Sequence, residues 1–546
     1  MRVLYTNIDI IKANSDHRKY RHIVLKNGLE AVLISDSLAT SSAASLAVSV
    51  GSNNDPHMLQ GLAHFLEHML FLGSDRYPNG DDYFKTITEN NGHFNAYTDR
   101  EITNYFFDIH YYSFETALDI FSRFFIDPLF NSDKVLKEIN AVNSEFEKNL
   151  IIDARKRSSI ITYLSQPDNP YHRFTTGNIE SLVGNSKYYG LDLREELIKF
   201  HSKYYTSDKM KLIVFSNDDL EDLEDMVINK FSEIKPSAEY SISSTSNSNT
   251  TSTNNKVKQV HKSHSPFNKE TLGTLIRYES LTTEHEMIIT FIQQPTSTNY
   301  NINPPFYFTY LLESKDENSL IDILKKKQLA TKLTASVERD IKDWSDLSLQ
   351  IYLTAEGGKK LDEVLQIIHN YFNYMRSNLI NKKTFDYLKK IGKLNFEYRT
   401  IHTGMTYEFV NKLAAKSLNT PIDIILDNDH ILGEFDQTAL HNYANNLRLE
   451  NSIVQIPMKM TNATLNFLHN ITEHMYEPWY RTNFTINKID FNVLNNNNNT
   501  KSFTHPELND VKVIDYLLNN TFKCDSKCLD NLRTFKTDEP SLVNRT

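Results

Sequence analysis

The chain is nearly devoid of cysteine. Only Cys524 and Cys528 occur among 546 residues, too few for a disulfide framework. Their C-x3-C spacing lacks a second pair, so they are read as incidental rather than as a zinc site. Long apolar runs are missing as well. No stretch of roughly eighteen apolar residues occurs, which excludes a membrane-spanning helix, and no membrane partner is expected. The opening segment MRVLYTNIDIIKANSDHRKYR holds no long apolar core. A secretory signal is therefore not expected, and a cytoplasmic location is. A surplus of positive charge is lacking too. The formal net charge is −10, which argues against a nucleic-acid partner. Asn-x-Thr triplets, as at Asn462 and Asn483, arise by chance in so asparagine-rich a chain and carry no weight.

What the chain does have is His64-Phe65-Leu66-Glu67-His68. On a helix, positions i, i+3 and i+4 share one face. His64 and His68 can then aim a ring nitrogen each at one metal ion, with Glu67 beside it. This is the H-x-x-E-H arrangement of inverzincin zinc peptidases. A lone histidine pair on a helix is more often packing or surface. Glutamate in the middle position, a helical context and the scarcity of histidine, 19 in the chain, favour the metal. Leu59, Leu62, Ala63, Leu66, Met69 and Leu70 give an apolar face, and Gly73 a stop, so a helix is expected over 57–72.

A catalytic zinc takes a third protein ligand and leaves a position for water. A second helix is expected to start near Ser132 or Asp133, either of which could cap it. It carries Glu138 and Glu145 on one face beside an apolar stripe of Val135, Ile139, Val142 and Phe146, while Glu147 points elsewhere. Spacing alone does not choose between Glu138 and Glu145. Each zinc-binding histidine should also donate its other ring nitrogen to an acceptor.

The remaining pattern is α+β. Two apolar runs around Asn27-Gly28 signal a hairpin over His22 to Ser35, and Ser45 to Val50 reads as a strand. Residues 93–110 read as two strands around a turn at Asp99-Arg100-Glu101, with Tyr105, Phe106 and Phe107 as core aromatics. Helices are expected at 81–91, 113–126, 133–162 and 191–203, and a strand at Lys211 to Phe215. Ser241 to Asn255 is low-complexity and polar, so it cannot build a core. Beyond it, 275–292 reads as strands, 319–329, 361–375 and 383–394 as helices, and 347–353 as a strand. This echoes the first unit without its motif, and His285 and His369 are ordinary polar residues there. A chain of this length holds roughly three to four average domains. The division expected is a catalytic domain 1–235, a linker or insertion 236–270, a second domain 271–490 and a poorly defined tail 491–546.

The run Gly61 to Gly73 (GLAHFLEHMLFLG), then Tyr77-Pro78, Asn95-Ala96-Tyr97-Thr98, Thr103 to Phe107, Glu138 to Glu145 and Pro170 to Asn178 (PYHRFTTGN) together resemble the insulysin, or insulin-degrading enzyme, branch of the M16 metallopeptidases. The resemblance is dense over 20–215 and traceable to about 490. It implies two homologous units, each a mainly antiparallel sheet packed with helices, the LuxS/MPP-like metallohydrolase fold. It implies one zinc ion per chain on His64, His68 and Glu145, and a zinc-dependent endopeptidase acting on short unstructured peptides. Glu67 would be the base that takes a proton from the attacking water and passes it to the leaving amine. Glu138 matches a second acid of the family, an assisting catalytic group. Asn95, Ala96 and Tyr97 are placed on an edge strand where a peptide adds itself as a further strand. The net negative charge fits neutral or basic peptides.

Three departures stand out. Arg155 follows Asp153-Ala154 where the family often has an aromatic. Glu313 to Leu320 stands where the family has a glycine-rich segment that anchors the substrate amino end. After Trp479-Tyr480 the match fades, so the sequence looks like the N-terminal half of such an enzyme. The alternative expectation is therefore a non-catalytic or regulatory M16-like subunit. For the enzyme, weak activity alone and pairing with a second M16-like chain or with itself are expected.

Overall fold

The computed structural model describes residues 3–5, 8–240, 265–281, 285–296, 301–398, 406–426, 432–459, 474–496 and 503–504. The low-complexity run Ser241 to Asn255, Asn462, both cysteines and nearly all of the tail lie outside the described residues. The polar run Asn495 to Asn499 begins inside a short helix, Phe491–Asn496, and its last three residues lie outside as well.

Seven strands make the first sheet: β1 (Val3–Tyr5), β2 (Lys19–Leu25), β3 (Glu30–Ser35), β4 (Ser41–Val48), β5 (His93–Thr98), β6 (Thr103–His110) and β7 (Met210–Ser216). Their order is β1-β2-β3-β7-β4-β6-β5. Only β3 and β7 pair in parallel. The β2–β3 hairpin turns at Asn27-Gly28, as expected. Gly28 takes φ +89°, and the Asn27 side chain donates to the carbonyls of Phe231 and Ile234. A second seven-stranded sheet runs from Thr274 to Lys488, with one parallel pair, Thr274–Ser280 beside Ser452–Lys459. Both sheets place that parallel pair third and fourth from one end. The two units thus repeat one plan, and the fold is α+β.

One face of the first sheet packs on α1 (Leu62–Leu70), α2 (Asp81–Glu89), α3 (Phe114–Arg123) and α4 (Ser132–Asn149). The other face presents Val32, Ile34, Ala43, Ala47, Ile213 and Phe215 to Val410, Leu413 and Ala414 of the helix Thr406–Ser417. Burial on both faces explains the continuous apolar stretches of β3 (Ala31 to Ile34) and β7 (Leu212 to Phe215).

The helix expected over 133–162 is two helices. It breaks at Leu150 to Ile152, and α5 (Asp153–Tyr163) starts from an extended Ile152. The break turns Ile160 and Ile161 onto Tyr278 and Phe484 of the second sheet. Asp153 fixes the new direction by accepting bonds from the Ser280 hydroxyl at 2.8 Å and the Leu281 N–H at 3.0 Å. No helix among the described residues is long and apolar enough to cross a membrane.

Candidate active site

The start of α1 is held from outside the helix. Asp55 is buried, and its carboxylate accepts the N–H groups of Gly61 at 2.7 Å and Ala63 at 2.8 Å. Those donors have no partner within the helix. Burial pushes the Asp55 carboxyl up to about 7, against these two bonds and the charges of Arg173 and Arg100. Gly61 takes φ +93°, and a Cβ there would stand 2.2 Å from Gly177 Cα. Two glycines thus let the chain at 176–177 lie against the helix start. Gly61→Ala should destabilise the fold by roughly 2–4 kcal/mol, from positive φ and a backbone clash together. The check is a lower urea midpoint at unchanged slope. A shift below about 0.5 kcal/mol would contradict this close approach.

That approach has a chemical consequence. The Thr176 carbonyl lies 2.6 Å from His64 Nδ1 and accepts its proton. One turn on, His68 Nδ1 lies 2.8 Å from Glu138 Oε1. With Nδ1–H donated in each ring, both Nε2 atoms are left as acceptors. They face Glu145 Oε2 at 3.6 Å from His64 and 3.5 Å from His68. The three ligand atoms lie within 4.8 Å of one another. A tetrahedral zinc with bonds near 2.0–2.1 Å separates its ligands by ~3.3 Å, so the residues present fit the ion.

Glu138 and Glu145 therefore part company. Both project from α4 toward α1, but Glu145 joins the converging set and Glu138 stands behind His68. At the helix start Asn131, rather than Ser132 or Asp133, occupies the cap position, and its side chain makes no capping bond. Burial works against charge on His68, but Glu138 and Glu145 outweigh it and push its pKa up to about 9. In the zinc-free chain, where His68 carries a second proton, its pairing with Glu145 draws the Glu145 carboxyl down.

Glu67 sits on the same helical face and is 7% exposed. Burial raises its proton affinity, opposed by the nearby histidines and by a 2.6 Å hydrogen bond from the Thr98 hydroxyl. Thr98 ends β5, the edge strand of its sheet. Asn95, Ala96 and Tyr97 precede it and line a cleft of about 640 Å³ together with His64, Glu67, His68, Glu138 and Glu145. Tyr105, Phe106 and Phe107 on β6 are buried. Among the described residues His64, His68 and Glu145 form the one cluster suited to a metal, and His285 and His369 stand outside it.

Sequence reasoning missed Asp55, Thr98, Thr176 and Tyr480. Tyr480 lies in the turn after the strand His474–Glu477 of the second sheet. Its hydroxyl is 3.1 Å from Thr176 Oγ1, and its ring packs on Phe146, next to Glu145. No local pattern announces a contact across 304 positions.

Residues 30–167 match the insulinase (peptidase family M16) domain, 192–391 the peptidase M16 inactive domain, and 396–526 the middle or third domain of peptidase M16. The peroxisomal insulin-degrading enzyme-like 1 of Arabidopsis thaliana is 34% identical over 88% of this chain and 47% of its own length. The A-factor-processing enzyme of Saccharomyces cerevisiae is 31% identical over 98% and 49%, respectively. The human insulin-degrading enzyme is 30% identical over 89% and 45%. The chain spans about half the length of the curated relatives it matches. The crystal structure of pitrilysin shares the fold, with a TM-score of 0.81 at 24% identity over 93% of this chain and 51% of that one. With three M16 domains matched in order along it, the chain belongs to the insulinase family of M16 peptidases.

Proposed function

We propose that the chain is a zinc-dependent endopeptidase that hydrolyses short, unstructured peptides in the cytoplasm. The observation that carries this is the convergence of His64, His68 and Glu145 on one point with buried Glu67 beside it and an open edge strand along the cleft. His64, His68 and Glu145 would hold the ion. When bound, zinc supplies Lewis acidity, which lowers the pKa of water and polarises a carbonyl.

The chain's own groups do the rest. Glu67 takes a proton from the attacking water and delivers it to the amine nitrogen as the C–N bond breaks. Its burial favours proton uptake, and Thr98 fixes its orientation. Thr176 and Glu138 hold the two imidazoles in the tautomer that leaves Nε2 free. Backbone groups of β5 at Asn95, Ala96 and Tyr97 pair with the peptide as an added strand, which requires an extended substrate. Relatives named for insulin degradation and A-factor processing support peptides as the substrate class. Cell fractionation tests the compartment, since the Arabidopsis relative is named peroxisomal. Mass spectrometry of a digested peptide mixture tests the activity. Internal cuts are expected, and intact peptides after incubation with the zinc-loaded chain would count against the proposal.

Zinc affinity should depend on pH through His68. In the zinc-free chain its raised pKa means that a proton must leave as the ion binds. Affinity should rise about tenfold per pH unit between roughly 6.5 and 9 and then level off. Stability of the zinc-free fold runs the other way. The contribution from protonated His68 is full below pH 6.5 and is lost as pH rises through about 9. Competition with a chromophoric chelator from pH 6 to 10 measures the first trend, and a flat profile would rule it out.

A further inference from the structure

The catalytic cleft does not end at Glu145. A second cavity of about 220 Å³ adjoins it, and the two share Arg155 and Thr175 in their walls. One side of the second cavity is aromatic, with Phe174 and Trp479 stacked at 4.3 Å and Tyr480 beside them. Most charged groups around it are already engaged. Arg100 donates to the carbonyls of Tyr171 and Arg173 and to the Thr162 hydroxyl. Arg173 donates to the Asn53 carbonyl. Glu477 is fully buried and accepts the N–H groups of Trp479 and Tyr480.

Arg155 is different. It is exposed, and its side chain makes no hydrogen bond or ion pair among the described residues. It also sits in the first turn of α5, where the helix dipole disfavours a cation. Its neighbours in that turn have other employment, since Arg157 pairs with Glu338 and Lys156 is buried. Glu145 feels the charge of Arg155, but its Oε2 is turned to His64 and His68. The position thus leaves a guanidinium fork, suited to a carboxylate, at the junction of the catalytic cleft and a side cavity.

Resting on the peptidase function, we propose that Arg155 is a specificity-determining residue that selects peptides with an aspartate or glutamate close to the bond cut. A peptide extended along β5 advances ~3.3 Å per residue, so a side chain within about two residues of that bond meets the junction. The selection is local. The chain as a whole is acidic and repels acidic peptides at long range.

The test uses fluorogenic peptides that differ only in bearing Glu, Gln or Lys at each of the two positions flanking the cut on either side. The full chain should prefer Glu over Lys at one position by about tenfold or more in kcat/KM. Arg155→Gln should erase that ratio, Arg155→Glu should reverse it, and Arg155→Lys should keep its sign. Equal rates for Glu and Lys at every position, or an unchanged preference in Arg155→Glu, would overturn the proposal. Binding of labelled, uncut peptides by fluorescence anisotropy separates the two ideas. If nothing is cleaved, yet Glu peptides bind better and Arg155→Glu reverses this, the peptidase function fails and the role of Arg155 stands. If neither cleavage nor binding responds to charge at residue 155, the role of Arg155 fails.

Discussion

Glu67→Gln is expected to keep the fold and the bound zinc while lowering peptide turnover by about 10³-fold or more. Glu67 is not one of the three converging ligands, so its loss leaves the ion's protein partners in place. The amide matches the carboxylate in size and can still meet the Thr98 hydroxyl, which lies 2.6 Å away. It cannot accept a proton from water, and it has none to pass to the leaving amine. Zinc content, thermal unfolding and turnover measured on one preparation separate these effects. Near-normal turnover with full zinc would remove Glu67 from the mechanism.

The second large effect is expected at the ligands. Glu145→Gln or His64→Ala removes one of three protein contacts to the ion. If zinc binds with ~10–16 kcal/mol, a third of that is ~3–5 kcal/mol, or 10²–10⁴-fold in affinity. At micromolar protein the ion should then be lost on dialysis, and activity with it. Glu138→Gln is the contrasting case. Glu138 touches His68 Nδ1 and not the converging atoms. Its replacement should weaken zinc by only about 10–100-fold. If Glu145→Gln held zinc fully and Glu138→Gln did not, the two acids would exchange roles.

This contrast marks where sequence reasoning stops. The i, i+3, i+4 spacing put His64, Glu67 and His68 on one face because a helix has a fixed period. The same period put Glu138 and Glu145 together but could not say which faces Nδ1 and which Nε2 of His68. That depends on how far α4 is slid along α1, a packing quantity. The β5–β6 hairpin was legible from its alternation and polar turn. The break between α4 and α5 was not. Helical periodicity continues through Leu150 to Ile152, and the break is set by Asp153 bonding to residues 280 and 281. Asp55 caps α1 from six residues before Gly61, outside the window of a local cap pattern. The helix Thr406–Ser417 was not anticipated from the sequence, and only the assembled fold shows that it covers the first sheet. Tyr480 belongs to the same class, its neighbours at the site being far away in the chain.

The most direct measurement is zinc content and peptide turnover on one sample, before and after chelation and again after zinc is returned. The expected result is one zinc per chain, turnover lost in step with the metal, and both restored together. Turnover that survives complete removal of zinc, or a chain that never binds the ion at His64, His68 and Glu145, would contradict the assignment of this cluster as the catalytic centre.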